Sequence, residues 1–203
     1  RKFGGLVMTQ KMTERVMELA KCIGATAVGI ATNKTLAGGP PSADLEYVLP
    51  GAASAVSFLV PLDQACIEPY LRKEDRRSYE LDNVRTNTLA SGISFEIASY
   101  LDQKGCPSAA QAANLVYRTD TPNGPRDEKP PISHRYLAVR SGIGHFGLSG
   151  NVITKDYGAA VILGSVVTTA DLIPTDPLPP EDNYCDGCRL CMASCASGFM
   201  SSE

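Results

Sequence analysis

Four cysteines crowd into eleven consecutive positions, as Cys185-Asp-Gly-Cys188-Arg-Leu-Cys191-Met-Ala-Ser-Cys195. Their C-x2-C-x2-C-x3-C spacing is that of bacterial ferredoxin clusters. Two-residue gaps let three successive thiolates reach three corners of a cubane, whereas tetrahedral zinc usually takes two C-x2-C knuckles separated by a long loop. The run therefore reads as the ligand set of an iron–sulfur cluster of the [4Fe-4S] kind, with zinc and inert thiols as the alternatives. Ala196 stands where a proline usually follows, and in two-cluster ferredoxins the fourth cysteine serves the other cluster. Either further ligands lie beyond Glu203, or one cluster is closed by Cys195 or by a distant cysteine. Cys22, Cys66 and Cys106 are scattered and read as small buried hydrophobes. A disulfide framework is excluded, because it would spread its cysteines through a small, loop-rich secreted chain.

An acidic stretch over residues 171–184, with Pro174, Pro177, Pro179 and Pro180, precedes the run and is the one credible domain boundary. It divides the chain into a core over 1–170, a linker over 171–184 and a cluster segment over 185–203. With 43% hydrophobic residues among 203, the chain can fill a core. Nineteen basic against 22 acidic residues leave a net charge of −3, which argues against binding nucleic acid or an anionic membrane by bulk charge. No apolar window is long enough to cross a bilayer, and residues 1–10 lack the apolar run of a secretory signal, so a cytoplasmic protein without a membrane partner is expected.

Met12, Val16, Leu19, Ala20 and Ile23 share one helical face, with Thr9 or Thr13 as a candidate cap and Gly24 as the stop. Strands are expected over 25–31 and over 55–60, the latter apolar enough to be buried on both faces, with a loop at Gly38-Gly39-Pro40-Pro41 between them. A long helical stretch carries the stripe Leu89, Ile93, Ile97, Tyr100 and Leu101 and ends at Lys104-Gly105. Its earlier part, 68–85, is charged and expected to face solvent. A strand over 112–117, an irregular proline-rich loop over 118–131, a helix capped by Ser133 and running through Leu137 and Arg140, and a strand over 159–168 complete the reading. Helices and strands without a clean βαβ alternation make the class α+β.

The run Gly142-Ile-Gly144-His145-Phe146-Gly147-Leu-Ser149-Gly150-Asn151 follows the Ser133 helix. Its glycines leave backbone amides open to a phosphate or a planar cofactor, although the run lacks the strand-to-helix context of a dinucleotide fingerprint and the lysine of a Walker motif. His134 and His145 are the only histidines, and His145, inside the turn, is a candidate to face a cofactor or to move a proton. Asp127 and Glu128 sit in the proline-stiffened loop leading into this run and are the candidate general acids.

The order of these features resembles the epoxyqueuosine reductases and their relatives, the reductive dehalogenases. The resemblance is carried by the N-terminal helix leading to Ala27-Val-Gly-Ile30, by Val48-Leu-Pro-Gly51, by Pro131-Ile132 and Arg135 through Leu137-Ala138 to Gly142-Ile-Gly144, by Gly147, by Tyr157-Gly158 and Leu163-Gly164, and by the cysteines. It implies a nitroreductase-like α+β core that binds cobalamin, followed by a truncated ferredoxin-like segment that delivers electrons to cobalt. Arg135, Gly142, Gly144, His145, Phe146, Gly147, Ser149, Gly150 and Asn151 are then the candidate cofactor contacts, Cys185, Cys188, Cys191 and Cys195 the metal ligands, and Glu128 with His145 the candidate catalytic groups. Counting back from Gly142 places the family's aspartate proton donor on Glu128, one methylene longer. The implied substrate is a small molecule or is borne on tRNA, for which basic residues of 72–77 could hold the backbone, and the implied electron donor is a ferredoxin or flavodoxin. From a different class, the chain reads as a corrinoid- or flavin-binding electron-transfer module without a substrate of its own.

Overall fold

The computed structural model describes residues 2–111, 116–185, 187–198 and 200, with side chains from Val7 onward. The chain begins with helix α1 (Lys2–Cys22), whose Val16 and Ala20 are buried, and Gly24, at φ +118°, turns it into strand β1 (Ala27–Thr32). The expected cap at Thr9 or Thr13 is not one. The helix is already under way there, and the Thr13 hydroxyl donates to the Thr9 carbonyl oxygen (2.9 Å) inside it.

Helix α2 (Asn33–Leu36) and a loop with a short 3-10 turn at Pro41–Ala43 lead to strand β2 (Ser54–Pro61). The single helical stretch expected after it is two helices, α3 (Gln64–Leu71) and α4 (Arg76–Gln103). Lys73 in the left-handed region (φ 62°) breaks the path, and the Asp75 carboxylate restarts it by accepting the Ser78 N–H at 3.0 Å. Helix α4 stops at Lys104 and Gly105 (φ +79°), as the sequence predicts. Strand β3 (Ser108–Gln111) follows. Of the strand expected over 112–117, residues 112–115 lie outside the described residues, and Val116 and Tyr117 are irregular.

After an irregular stretch with a 3-10 turn at Gly124–Asp127 comes helix α5 (His134–Arg140), capped by the Ser133 hydroxyl, which accepts the Tyr136 N–H at 3.2 Å. The glycine-rich run then forms a small hairpin of β4 (His145–Phe146) and β5 (Val152–Ile153), and β6 (Val161–Thr168) returns to the main sheet. Helix α6 (Leu190–Ala193) lies in the cysteine run.

The main sheet has the order β1-β2-β6-β3 with every neighbouring pair antiparallel, so α and β elements mix without a parallel crossover. Strand β2 is buried on both faces. Val56, Phe58 and Val60 face α1 and α4, against Val16, Ile93, Ile97 and Leu101. Ala55 and Leu59 face the side of α5, against Leu137 and Ala138. Two glycines make this packing possible. At Gly164 a Cβ would lie 2.2 Å from the Phe58 ring, and at Gly29 it would lie 2.2 Å from the Ser141 carbonyl oxygen at the end of α5.

The stretch read as a linker begins by packing on the core. Leu172 is buried and donates its N–H to the Ser54 hydroxyl (3.1 Å), and the Ile173 N–H reaches Thr13 (2.9 Å). Thr175 accepts the Ile30 N–H on its hydroxyl (2.9 Å) and donates its own N–H to the Ile30 carbonyl (3.0 Å). These bonds occupy the outer edge of β1, the kind of row that is otherwise left open.

Candidate functional site

Helix α5 presents its first turn to the sheet because Gly29, Ser57 and Ser165 form a row of small residues across β1, β2 and β6. His134 reaches into that row, with Nδ1 2.9 Å from the Ser165 hydroxyl. Beside it opens a cavity of about 440 Å³ lined by Asn87 of α4, His134 and Arg135 of α5, Asn151 and Val152 of the hairpin, Ala159, and Val161, Ile162 and Leu163 at the start of β6. Its lining mixes polar side chains, Asn87, His134, Arg135 and Asn151, with aliphatic ones, Val152, Val161, Ile162 and Leu163. Of the sequence candidates, Arg135 and Asn151 meet here. Asn87 was missed, since nothing in its own helix distinguishes it from a solvated residue.

The hairpin is held by the core on one side and touches the cysteine run on the other. The Arg135 guanidinium donates to the Gly150 carbonyl (2.8 Å), and the Ser149 hydroxyl accepts the Asn151 N–H (3.4 Å). Gly142 and Gly144 are not left open for a ligand. A Cβ at Gly142 would lie 2.4 Å from the Asp176 carbonyl oxygen and one at Gly144 2.6 Å from that of Ile153, so the chain itself fills both spaces. His145 is only 8% exposed, and its Nε2 has no hydrogen-bonding partner among the described residues. A buried imidazole nitrogen left unpaired is costly and points to a group that would complete it. Phe146 is exposed, with its ring 6.4 Å from that of Tyr136.

Of the four clustered cysteines Cys188 is exposed and the others are half-buried. Gly187 (φ +68°) and Arg189 (φ 52°) bend the chain sharply between them, as a wrapped ligand loop requires. Among the described residues no three histidine, cysteine or acidic side chains converge closely enough to hold a metal ion. The donor set suits an iron–sulfur cluster by ligand chemistry and by spacing in the sequence, not by convergence of the side chains. Cys185 is the member anchored to the core, since its sulfur accepts the Leu148 N–H at 3.3 Å. Cys22 is exposed and Cys66 and Cys106 are half-buried, so none is the small buried hydrophobe expected.

Glu128 follows the 3-10 turn in the left-handed region (φ 51°) and faces solvent. Its neighbour Asp127 accepts Asn123 Nδ2 at 2.7 Å, and this bond holds the Asp127 carboxyl below its usual range. The loop carrying both is closed at its neck, where the Arg118 N–H donates to the Lys129 carbonyl (2.8 Å). The Arg118 side chain is 5% exposed, stacks 3.6 Å from the centre of the Tyr47 ring, and donates to Asp120 (2.9 and 2.6 Å) and to the Pro41 carbonyl (2.8 Å). This clamp also went unread in the sequence. In the charged stretch 72–77, Arg72 pairs with Glu68 and Arg76 with Glu80, while Lys73 and Arg77 make no ion pair among the described residues. Among the described residues no helix is long and apolar enough to cross a membrane.

The fold is one shared with epoxyqueuosine reductases and reductive dehalogenases. An epoxyqueuosine reductase bound to an epoxyqueuosine-modified stem loop of tyrosine tRNA superposes with a TM-score of 0.60 at 19% identity, over 94% of this chain and 53% of that one. A catabolic reductive dehalogenase superposes with a TM-score of 0.63 at 20% identity, over 86% of this chain and 22% of that one. In sequence the chain is similar to epoxyqueuosine reductases. It is 27% identical to that of Gloeobacter violaceus over 179 residues, 87% of this chain and 50% of the relative. With that of Atelocyanobacterium thalassa it shares 42% identity over 65 residues, 32% of this chain and 20% of the relative. The chain thus spans about half the length of the Gloeobacter relative, and no protein-family model matches it. The resemblance read from the motifs is borne out by these comparisons.

Proposed function

We propose that this chain comprises the core and a cluster segment of an epoxyqueuosine reductase-like oxidoreductase of the cytoplasm, in which a [4Fe-4S] cluster on Cys185, Cys188, Cys191 and Cys195 passes electrons to a cobalamin held at the hairpin and cavity. The observation that carries the reading is the contact of Cys185 with the same hairpin whose Asn151 and Val152 line the cavity. In this reading residues 1–170 are a nitroreductase-like core and 185–203 a ferredoxin-like segment, joined through 171–184.

When bound, the corrinoid supplies low-valent cobalt as the electron donor for reductive cleavage of a carbon–oxygen bond. The chain's own residues bind and orient it. Arg135 and Asn151 offer donors to its polar rim, Phe146, Gly147, Ser149 and Gly150 form the adjacent turn, and His145 Nε2 gains a partner. Glu128 holds the proton for the departing oxygen, and to deliver it the loop turns inward about its Arg118–Lys129 neck. One related epoxyqueuosine reductase structure is described with its catalytic loop swung out of the active site, and an exposed Glu128 suits such an open arrangement. The substrate would be epoxyqueuosine in tRNA, as in the stem-loop complex of the relative, with a ferredoxin or flavodoxin as electron source.

Anaerobic reconstitution with iron, sulfide and hydroxocobalamin tests the reading. Optical and paramagnetic-resonance spectra should report both centres, and Cys188→Ser or Cys191→Ser should abolish the cluster. A chain that takes up zinc and no corrinoid would end it. The exposed Glu128 favours a second reading, a corrinoid- or flavin-binding electron-transfer module, and turnover of epoxyqueuosine-containing tRNA by the reduced protein would dismiss that one.

A further inference from the structure

We infer that the Leu148 backbone amide sets the reduction potential of the cluster and, with Asn183, makes Cys185 the ligand through which the cysteine segment is coupled to the core. The inference rests on the cluster reading above and goes beyond it by giving one of the four ligands a distinct role.

Two hydrogen bonds join the stretches 146–148 and 183–185, and a third braces the second stretch internally. The Leu148 N–H donates to Cys185 Sγ at 3.3 Å. Asn183 binds both sides, accepting the Cys185 N–H on Oδ1 (3.0 Å) and donating from Nδ2 to the Phe146 carbonyl (3.4 Å). Gly147 lets the turn lie against Ile153, whose side chain a Cβ there would meet at 2.7 Å, and Cys185 Sγ would stand in ordinary contact at 3.5 Å. Among Cys185, Cys188 and Cys191, the described residues give a core N–H only to the sulfur of Cys185.

An N–H aimed at a ligating sulfur stabilises the more electron-rich, reduced form of a cluster and raises its potential. The couple concerned is the gain of one electron by the cluster, with no bond made or broken. Because the donor belongs to the hairpin beside the cavity, anything that moves the hairpin moves the donor too. The potential is therefore sensitive to what the hairpin binds.

The test is a dithionite titration of the reconstituted chain, followed by paramagnetic resonance, with iron content measured for every variant. Leu148→Pro removes the N–H and should shift the midpoint to more negative potential at parental iron content. Leu148→Ala keeps the N–H and should leave the midpoint where it is. Asn183→Ala, which removes the brace on Cys185 and the bond to the Phe146 carbonyl but keeps the Leu148 N–H, should shift it in the same direction as the proline variant and serves as the deciding variant should Leu148→Pro fail to fold. A parental midpoint in both Leu148→Pro and Asn183→Ala at full iron content would overturn the inference while leaving the cluster reading intact. An equal shift in Leu148→Ala would overturn it as well, by assigning the effect to side-chain shielding. Failure of the parent chain to bind iron would instead overturn the cluster reading.

Discussion

Nδ1 of His134 and the hydroxyl oxygen of Ser165 lie 2.9 Å apart in the interior, tying the first turn of α5 to the middle of β6 at the wall of the cavity. A buried hydrogen bond of this kind contributes about 0.5–1.5 kcal/mol net, and leaving one member unpaired costs more. Ser165→Ala should lower the unfolding free energy by about 1 kcal/mol or more. Urea denaturation reads this directly, and an unchanged midpoint would show that the contact contributes nothing net.

The glycines divide into those the packing requires and those it does not. Gly29→Ala would drive a Cβ to 2.2 Å from the Ser141 backbone oxygen, which cannot swing away, and Gly164→Ala would meet the fully buried Phe58 ring at the same distance. Each should destabilise by about 1–3 kcal/mol or more. Gly92, inside α4, has nothing within 4 Å of where its Cβ would stand. Gly92→Ala should therefore stabilise by about 0.5–1 kcal/mol. Thermal melts of the three variants would expose an error in this division by the sign of any one shift.

Asp82 of α4 accepts the Asp63 N–H at 2.7 Å and the Arg85 guanidinium at 2.9 and 2.6 Å, which fixes the start of α3 to α4. Burial pushes its carboxyl upward, but these donors outweigh that effect, so the folded-state value lies below the ordinary one. The folded state then favours the ionised form. The stabilisation is complete above the ordinary carboxyl range and is lost as the pH falls through the lowered folded value. Asp82→Ala should cost about 1.5–3 kcal/mol at neutral pH, mostly through the unpaired Asp63 amide because Arg85 is well exposed. It should also flatten the acid limb of stability against pH. An acid limb as steep as the parent's would place the titration elsewhere.

Under the proposed function, Glu128→Gln keeps the shape of the side chain and removes its titratable proton. Turnover should fall by about 100- to 10,000-fold with the cluster and corrinoid spectra unchanged. Asp127→Asn should have a smaller effect, because Asp127 spends its oxygens on Asn123 within the turn. Parental turnover in Glu128→Gln would move the acid to another group, and His134, already at the cavity, is the next to replace. Loss of the corrinoid from Glu128→Gln would make the residue part of the binding wall.

What the sequence determined by itself was local. The Ser133 cap and the three apolar positions after it give α5, the Lys104-Gly105 stop ends α4, the apolar runs give β2 and β6, and the spacing of four cysteines names the kind of group they hold. Each of these signals joins residues a few positions apart, so neighbours in the chain carry the whole physical cause. The tertiary structure alone decided which distant residues meet. Asn87, His134 and Asn151 border one cavity because Gly29, Ser57 and Ser165, from three strands, are small enough for α5 to settle on the sheet. Likewise, a stretch that composition marks as a linker packs on the core through Thr175, because β1 has an open edge and a threonine can both donate to it and accept from it. Such pairings arise from complementary shape and unpaired backbone groups, and in the sequence they leave only a small residue or a threonine that nothing nearby explains.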